Sequence, residues 1–275
     1  MHSNMWLAPA TQANVATLRE RGVHVIDPES GALGSGDSGI GRLPAPEEIA
    51  RRALAILGGS EPAAVGTSLA GKTVVVTAGG TREPIDPVRF LGNKSSGRQG
   101  LAIAAAAARA GARVRVIAAN IDDSVMALLP SSVEVTRVGS AQQMREATLA
   151  QVRGDDALVM TAAVADFRPE ATQASKMKKD PTTSDAPTLR LVRNPDILSE
   201  IGHGPHRPPL VVGFAAETGT DEEILAYGAD KAARKGADYI ALNRVGAGVG
   251  FGDVPNDILL LDAAGHIVGR YTGSK

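Results

Sequence analysis

Two groups of side chains in this sequence suit chemistry on a phosphorylated molecule: a short amide, hydroxyl and glycine run, and lysines spread over separate segments. The run is Asn93-Lys-Ser-Ser-Gly97, just before an alanine-rich stretch with helical periodicity that begins near Arg98. Backbone N–H groups, two hydroxyls and the Asn93 amide there face a helix N-terminus, a place that binds phosphate or carboxylate. Ser95 and Ser96 also suit plain capping of that helix, but a cap needs one hydroxyl and explains neither Asn93 nor the long loop before it. The lysines are Lys176, Lys178 and Lys179 in one polar run, and Lys231 and Lys235 four residues apart, on one face of a helical stretch. Cations on separate elements can surround a triphosphate. Asp166, after an apolar run, could face a metal or act as a base, and Arg89 shares the loop of Asn93.

These residues need a scaffold that brings them to one edge. Residues 74–76 are β-branched and continuously apolar, as a strand buried on both faces of a parallel sheet should be, and Gly79 and Gly80 end it. Further strands are expected over 113–118, 133–138, 157–161, 210–214 and 239–242, with helices over 98–110, 141–152, 195–201 and 222–235. A short strand is expected at 189–192 and a terminal hairpin from 258–261 with 266–268. The rhythm gives an α/β, Rossmann-like doubly wound, mainly parallel sheet, in which the loops after the strands share one ligand-binding rim. Residues 170–188 are polar, carry lysines and lack apolar periodicity; they read as a mobile flap over the strand C-terminal rim.

The first 70 residues read differently. A helix over 11–21, a short strand over 23–26 and a glycine-rich loop over 30–41 supply little core, and an amphipathic helix over 46–57 leads into a linker. The expected organisation is the tail of another domain over 1–43, a helix and linker over 44–70, and the main domain over 71–275.

The composition suits that scaffold. The 275 residues are 43% hydrophobic but 3% aromatic, with 31 glycines, which fits a sheet with tightly packed helices better than an aromatic β-sandwich. A net charge of −1 leaves no nucleic-acid footprint. No apolar stretch approaches a membrane span and no signal-peptide pattern opens the chain, so a soluble cytoplasmic protein is expected. With no cysteine, disulfides, thiolate metal sites and an internal thiol nucleophile are excluded.

A dinucleotide-dependent oxidoreductase fits poorly, because Gly79-Gly-Thr-Arg82 breaks the G-x-G-x-x-G spacing and the second strand ends at Asn120 where a ribose-binding acid belongs. It remains the alternative, with a catalytically silent nucleotide-binding scaffold third. A P-loop is also lacking, so the leading class is an enzyme that uses a nucleoside triphosphate without one.

Residues 71–275 resemble the phosphopantothenoylcysteine synthetases, the ligase half of bifunctional coenzyme A biosynthesis proteins. The motifs in common are Thr77-Ala-Gly-Gly-Thr-Arg-Glu-Pro-Ile-Asp-Pro-Val-Arg89, Asn93-Lys-Ser-Ser-Gly97, Ala162-Ala-Val-Ala-Asp166, Lys176-Met-Lys-Lys179, Asn194-Pro-Asp-Ile197, Gly213-Phe-Ala-Ala-Glu-Thr218 and Asn243. Residues 1–43 resemble the end of the flavin-dependent decarboxylase half through Asn4-Met-Trp6, Pro9-Ala-Thr-Gln12 and Gly36-Asp-Ser-Gly39. Many members carry a cysteine where this chain has Ser35 or a neighbour, so no decarboxylase activity is expected, and FMN belongs to the part of that domain not found here. The resemblance implies that 4′-phosphopantothenate attacks CTP to give an acyl cytidylate and pyrophosphate, and that the L-cysteine amine then displaces CMP. It implies catalytic roles for Lys176 on the triphosphate, Asn93 at the acyl carbonyl and oxyanion, and Arg89 in orienting the acyl substrate. Ala162, Ala163, Asp166, Asn194, Pro195, Asp196, Ile197 and Phe214 are implied for the nucleotide site, with Lys231 and Lys235 on phosphates. Mg²⁺ is expected on phosphate oxygens with its protein ligands unassigned, and a homodimer is implied.

Overall fold

The computed structural model describes residues 1–33, 38–44, 46, 49, 52–53, 67–178, 186–217, 221–244 and 256–273. By its internal contacts the chain divides into two units, Met1–Val65 and Gly66–Lys275. The first holds α1 (Ser3–Trp6), α2 (Pro9–Glu20), β1 (Glu29–Ala32) and β2 (Ser38–Arg42), the two strands pairing antiparallel. The glycine-rich stretch expected to be a loop is therefore largely a hairpin, and the strand expected over 23–26 does not form. The physical reason is close approach. A Cβ on Gly39 or Gly41 would overlap Ser3 or the Met1 carbonyl, so glycines let β2 lie against α1, whereas 23–26 have no ladder partner before Pro28. Most of the helix and linker expected over 46–70, and Ser35, lie outside the described residues.

The second unit is built on an eight-stranded sheet. Its strands are β3 (Thr73–Gly79), β6 (Arg113–Ala119), β7 (Glu134–Val138), β8 (Ala157–Met160), β11 (Leu210–Glu217), β12 (Tyr239–Arg244), β13 (Asn256–Asp262) and β14 (Ile267–Gly273). Two small hairpins, β4 (Arg82–Pro84) with β5 (Phe90–Gly92) and β9 (Phe167–Pro169) with β10 (Leu191–Arg193), stand apart from it. The sheet order is β14-β13-β12-β11-β8-β3-β6-β7, parallel from β12 to β7, with β13 and β14 antiparallel at one edge. Among the parallel strands chain order runs outward from β3 to one side and from β8 to the other, so the switch point of a doubly wound sheet lies between β3 and β8.

Alternation along β3 explains the two layers. Val74, Val76 and Ala78 face α3 (Arg98–Arg109) through Leu101 and Ala104, while Val75 joins Met144 of α5 (Ala141–Gln151) and, farther along that core, Ile201 of α6 (Ile197–Gly202) and Ala232 of α7 (Asp221–Lys235). Helices thus cover both faces of the sheet, the expected α/β architecture. Between β6 and β7 lies the one-turn helix α4 (Asp123–Met126), which the sequence reading omits, as it does the β4–β5 hairpin. No described helix is long and apolar enough to cross a membrane.

Candidate active site

At the switch point the ends of β3 and β8 and the loops after them are stitched together by three threonines, of which Thr77 and Thr81 are fully buried. The Thr161 hydroxyl donates to the Thr77 carbonyl (2.6 Å), and the Thr77 hydroxyl accepts from Ala162 N–H (3.3 Å). One turn on, the Thr81 hydroxyl accepts from Ala165 N–H (2.9 Å), while Gly80 forms a parallel bridge with Ala163. The Asn93 side-chain amide donates to the Val164 carbonyl (3.2 Å), which places an exposed amide directly over the β8 loop. Asn120, in a left-handed conformation at φ 50°, donates to the Gly80 and Gly139 carbonyls at 2.9 and 2.8 Å. The position where a dinucleotide fold keeps its ribose acid is therefore spent on bracing three loops. Helix α3 begins from Gly97 at φ 78° without a side-chain cap, and the Ser95 hydroxyl accepts weakly from Gly97 N–H (3.4 Å), so neither serine serves as a conventional cap.

Beside this stitching lies a pocket of about 470 Å³. Ala162 and Asp166 line it from the β8 loop, Asn194, Pro195, Asp196 and Ile197 from the turn into α6, Phe214 from β11, and Lys231 and Lys235 from α7. The turn into α6 is rigid for a local reason. Asn194 donates through its amide to the Ala165 carbonyl (2.8 Å) and accepts from Arg168 (3.1 Å), and Asp196 caps α6 by accepting from Ser199 N–H (3.1 Å). Both pocket lysines face acids. Lys235 pairs with Asp196, and Lys231 lies 3.4 Å from a Glu217 oxygen. Burial alone would raise the Asp196 carboxyl, but the Lys235 contact and Ser199 N–H outweigh it and hold it below the ordinary aspartate range. An anionic ligand phosphate entering here can take over the lysines from these carboxylates.

A second hollow of about 510 Å³ lies over the β4–β5 turn, with Arg82, Arg89, Arg168 and Ser140 on its lining. Arg82 stacks over Phe90, 4.6 Å from the ring centre. Arg89 uses its guanidinium within the protein, donating to the Met177 carbonyl (3.0 Å) and pairing with Asp86 (3.5 Å). The flap is thereby laid against this turn, with Gln173 N–H on the Ile85 carbonyl (2.9 Å) and the Thr172 hydroxyl on the Pro84 carbonyl (3.1 Å). The β9–β10 ladder forms its base.

The structure thus gathers nine of the sequence-selected residues into one pocket. Ala163 is held in a backbone bridge to Gly80, Asn93 touches the β8 loop at Val164, a residue of the pocket lining, and Arg89 lies on the second hollow. Lys176 and Lys178 are exposed on the flap and line neither cavity; Lys179 and Thr218 lie outside the described residues. Arg193 of the lining and the bracing Asn120, Thr77 and Thr81 were not singled out as site residues. A polar residue interrupting an apolar strand is the sequence signal that Thr77 offered.

Residues 69–275 match the family described as DNA/pantothenate metabolism flavoprotein C-terminal domain. The coenzyme A biosynthesis bifunctional protein CoaBC of Mycobacterium bovis is 46% identical over 282 residues, covering 100% of this chain and 66% of that protein. The protein of the same name from Vibrio parahaemolyticus is 38% identical over 268 residues, 97% of this chain and 63% of that one. This chain therefore spans slightly under two thirds of the length of these relatives. A crystal structure of the C-terminal domain of such a CoaBC protein superposes with a TM-score of 0.57 at 31% identity, over 76% of this chain and 88% of that one.

Proposed function

Because the chain belongs to the DNA/pantothenate metabolism flavoprotein C-terminal domain family, we propose that it is a phosphopantothenate–cysteine ligase of coenzyme A biosynthesis. The observation that carries this reading is the pocket beside the β3–β8 switch point, where two lysines and the β8 loop meet near the Asn93 amide. Its substrates are 4′-phosphopantothenate, L-cysteine and CTP. The acyl carboxylate attacks the α-phosphate, pyrophosphate leaves, and the cysteine amine then displaces CMP from the acyl cytidylate. Lys231 and Lys235 hold phosphate oxygens, Lys176 meets the triphosphate as the flap closes, and the Asn93 N–H groups face the oxyanion of the second step. Arg89 orients the acyl substrate by way of the turn it anchors.

A magnesium ion would be carried mainly by the substrate's phosphate oxygens, whose charge it would neutralise. Among the described residues no three acidic, histidine or cysteine side chains group as a cage, and Asp166 is an exposed carboxylate on the pocket. A cytoplasmic homodimer completes the reading.

The test is pyrophosphate release by the purified chain. It should require both CTP and 4′-phosphopantothenate, and kcat/KM should favour CTP over ATP, because a purine in the β8-loop pocket leaves polar edges unpaired. Release without the acyl substrate, or none at all, would overturn the ligase. Asn93→Asp should separate the two steps: a carboxylate repels the oxyanion that the amide stabilises, so the acyl cytidylate accumulates in quenched-flow mass spectrometry. Equal loss of both half-reactions would assign Asn93 to substrate positioning alone.

A further inference from the structure

Met177, next to Lys176, is gripped at both its backbone N–H and its carbonyl. Its N–H donates to an Asp86 carboxylate oxygen (3.2 Å), and its carbonyl accepts from Arg89. Asp86 is 2% exposed although it carries a charge, and it lies in the tip of the β4–β5 turn, 91 residues away in sequence. Its other oxygen accepts from Val88 N–H and Arg89 N–H, both at 2.8 Å, so the carboxylate also shapes the turn. Burial would raise this carboxyl, but the three N–H groups and the Arg89 charge outweigh it and hold it below the ordinary aspartate range. A buried carboxylate is costly unless its oxygens are satisfied, and one of these oxygens is satisfied by the flap. A lysine one residue from such an anchor loses much of the freedom of a surface side chain's backbone.

We propose that Asp86 is a positioning residue that sets the register of the flap through Met177 N–H and thereby aims Lys176 at the nucleotide. The proposal rests on the ligase reading for what Lys176 does, but the latch itself is a property of the free protein.

Its test has two arms on the full chain. Asp86→Asn puts an amide where two or three N–H groups need an acceptor, and hydrogen–deuterium exchange across residues 172–178 should accelerate by at least about tenfold, since local opening sets that rate. Unchanged exchange would overturn the latch, whatever the reaction catalysed. In the second arm kcat of Asp86→Asn should fall by up to about 10²-fold, as misplacement of a catalytic group does. In a Lys176→Gln background the same substitution should cost almost nothing more. Full additivity of the two losses would show that Asp86 acts on the fold and not through Lys176. Met177→Pro removes the N–H from the flap side without touching the turn, and it should reproduce both results if Asp86→Asn folds poorly; parent-like exchange in Met177→Pro would also sink the latch.

Discussion

Lys176→Gln is expected to lower kcat by about 10²–10³ while the thermal melt stays within about 2 °C of the parent. The side chain is exposed on the flap, so replacing it opens no cavity and changes stability by less than about 0.5 kcal/mol. Its cost falls on the transition state. An ammonium that meets the triphosphate only after flap closure stabilises charge that is absent in the ground state, and loss of one such fixed donor costs roughly 3 to 4 kcal/mol. Glutamine is one methylene shorter but keeps hydrogen-bonding capacity, so the main loss is the charge. Pyrophosphate release measured beside the melt decides: parent-like kcat would make Lys176 a solvated flap residue, and a large fall in melting temperature would make it structural.

The second large effect is on the fold. Gly79→Ala should destabilise the second unit by at least about 3 kcal/mol, or roughly 6–12 °C in melting temperature for a unit of this size. Gly79 ends β3 at φ 86°, where an L side chain is strained, and an added Cβ would overlap the Ala119 carbonyl oxygen. That oxygen accepts from Gly80 N–H at 3.0 Å, and Gly79 is in register with Ala119, so β3 and β6 would have to part at the rim. The loop that carries Asn93 starts there. A melt within about 2 °C of the parent would show that the strand ends separate without cost.

These two sites differ in how far the sequence betrayed them. The apolar run of β3 and its closing glycines were legible, since a strand covered on both faces has no polar alternation to hide it. Part of the pocket was legible because 162–166 and 194–197 are short runs that each follow a strand, whereas Lys231 and Lys235 showed only as a helical spacing and Phe214 only through the family resemblance. The latch was not: Asp86 reads as a turn residue between Pro84 and Pro87, and its partner across the flap is a backbone N–H, which has no residue type to recognise. Asn120 likewise reads as a missing acid until its two carbonyl partners on other loops are seen. The β1–β2 hairpin was hidden by its glycines, whose value lies in what they permit a neighbour to approach. Three-residue strands such as β4 and β5 are too short to show a period.

The seam between β3 and β8 joins chain segments whose hydrogen-bonded partners Thr77 and Thr161 are 84 residues apart. Bringing such distant segments together costs about 4 kcal/mol of chain entropy before any contact repays it, and topologies of this kind belong to the slow end of the folding-rate scale. Because the Asn93 contact and the Thr77 and Thr81 stitches lie across that seam, a folding intermediate holding only the β8-β11-β12 half has the pocket lining but neither the Asn93 amide nor the bonds that brace the β8 loop. Nucleotide therefore meets its two lysines before the loop beside them is braced, and by binding the braced pocket more tightly it stabilises the completed sheet over the partly folded forms that precede it.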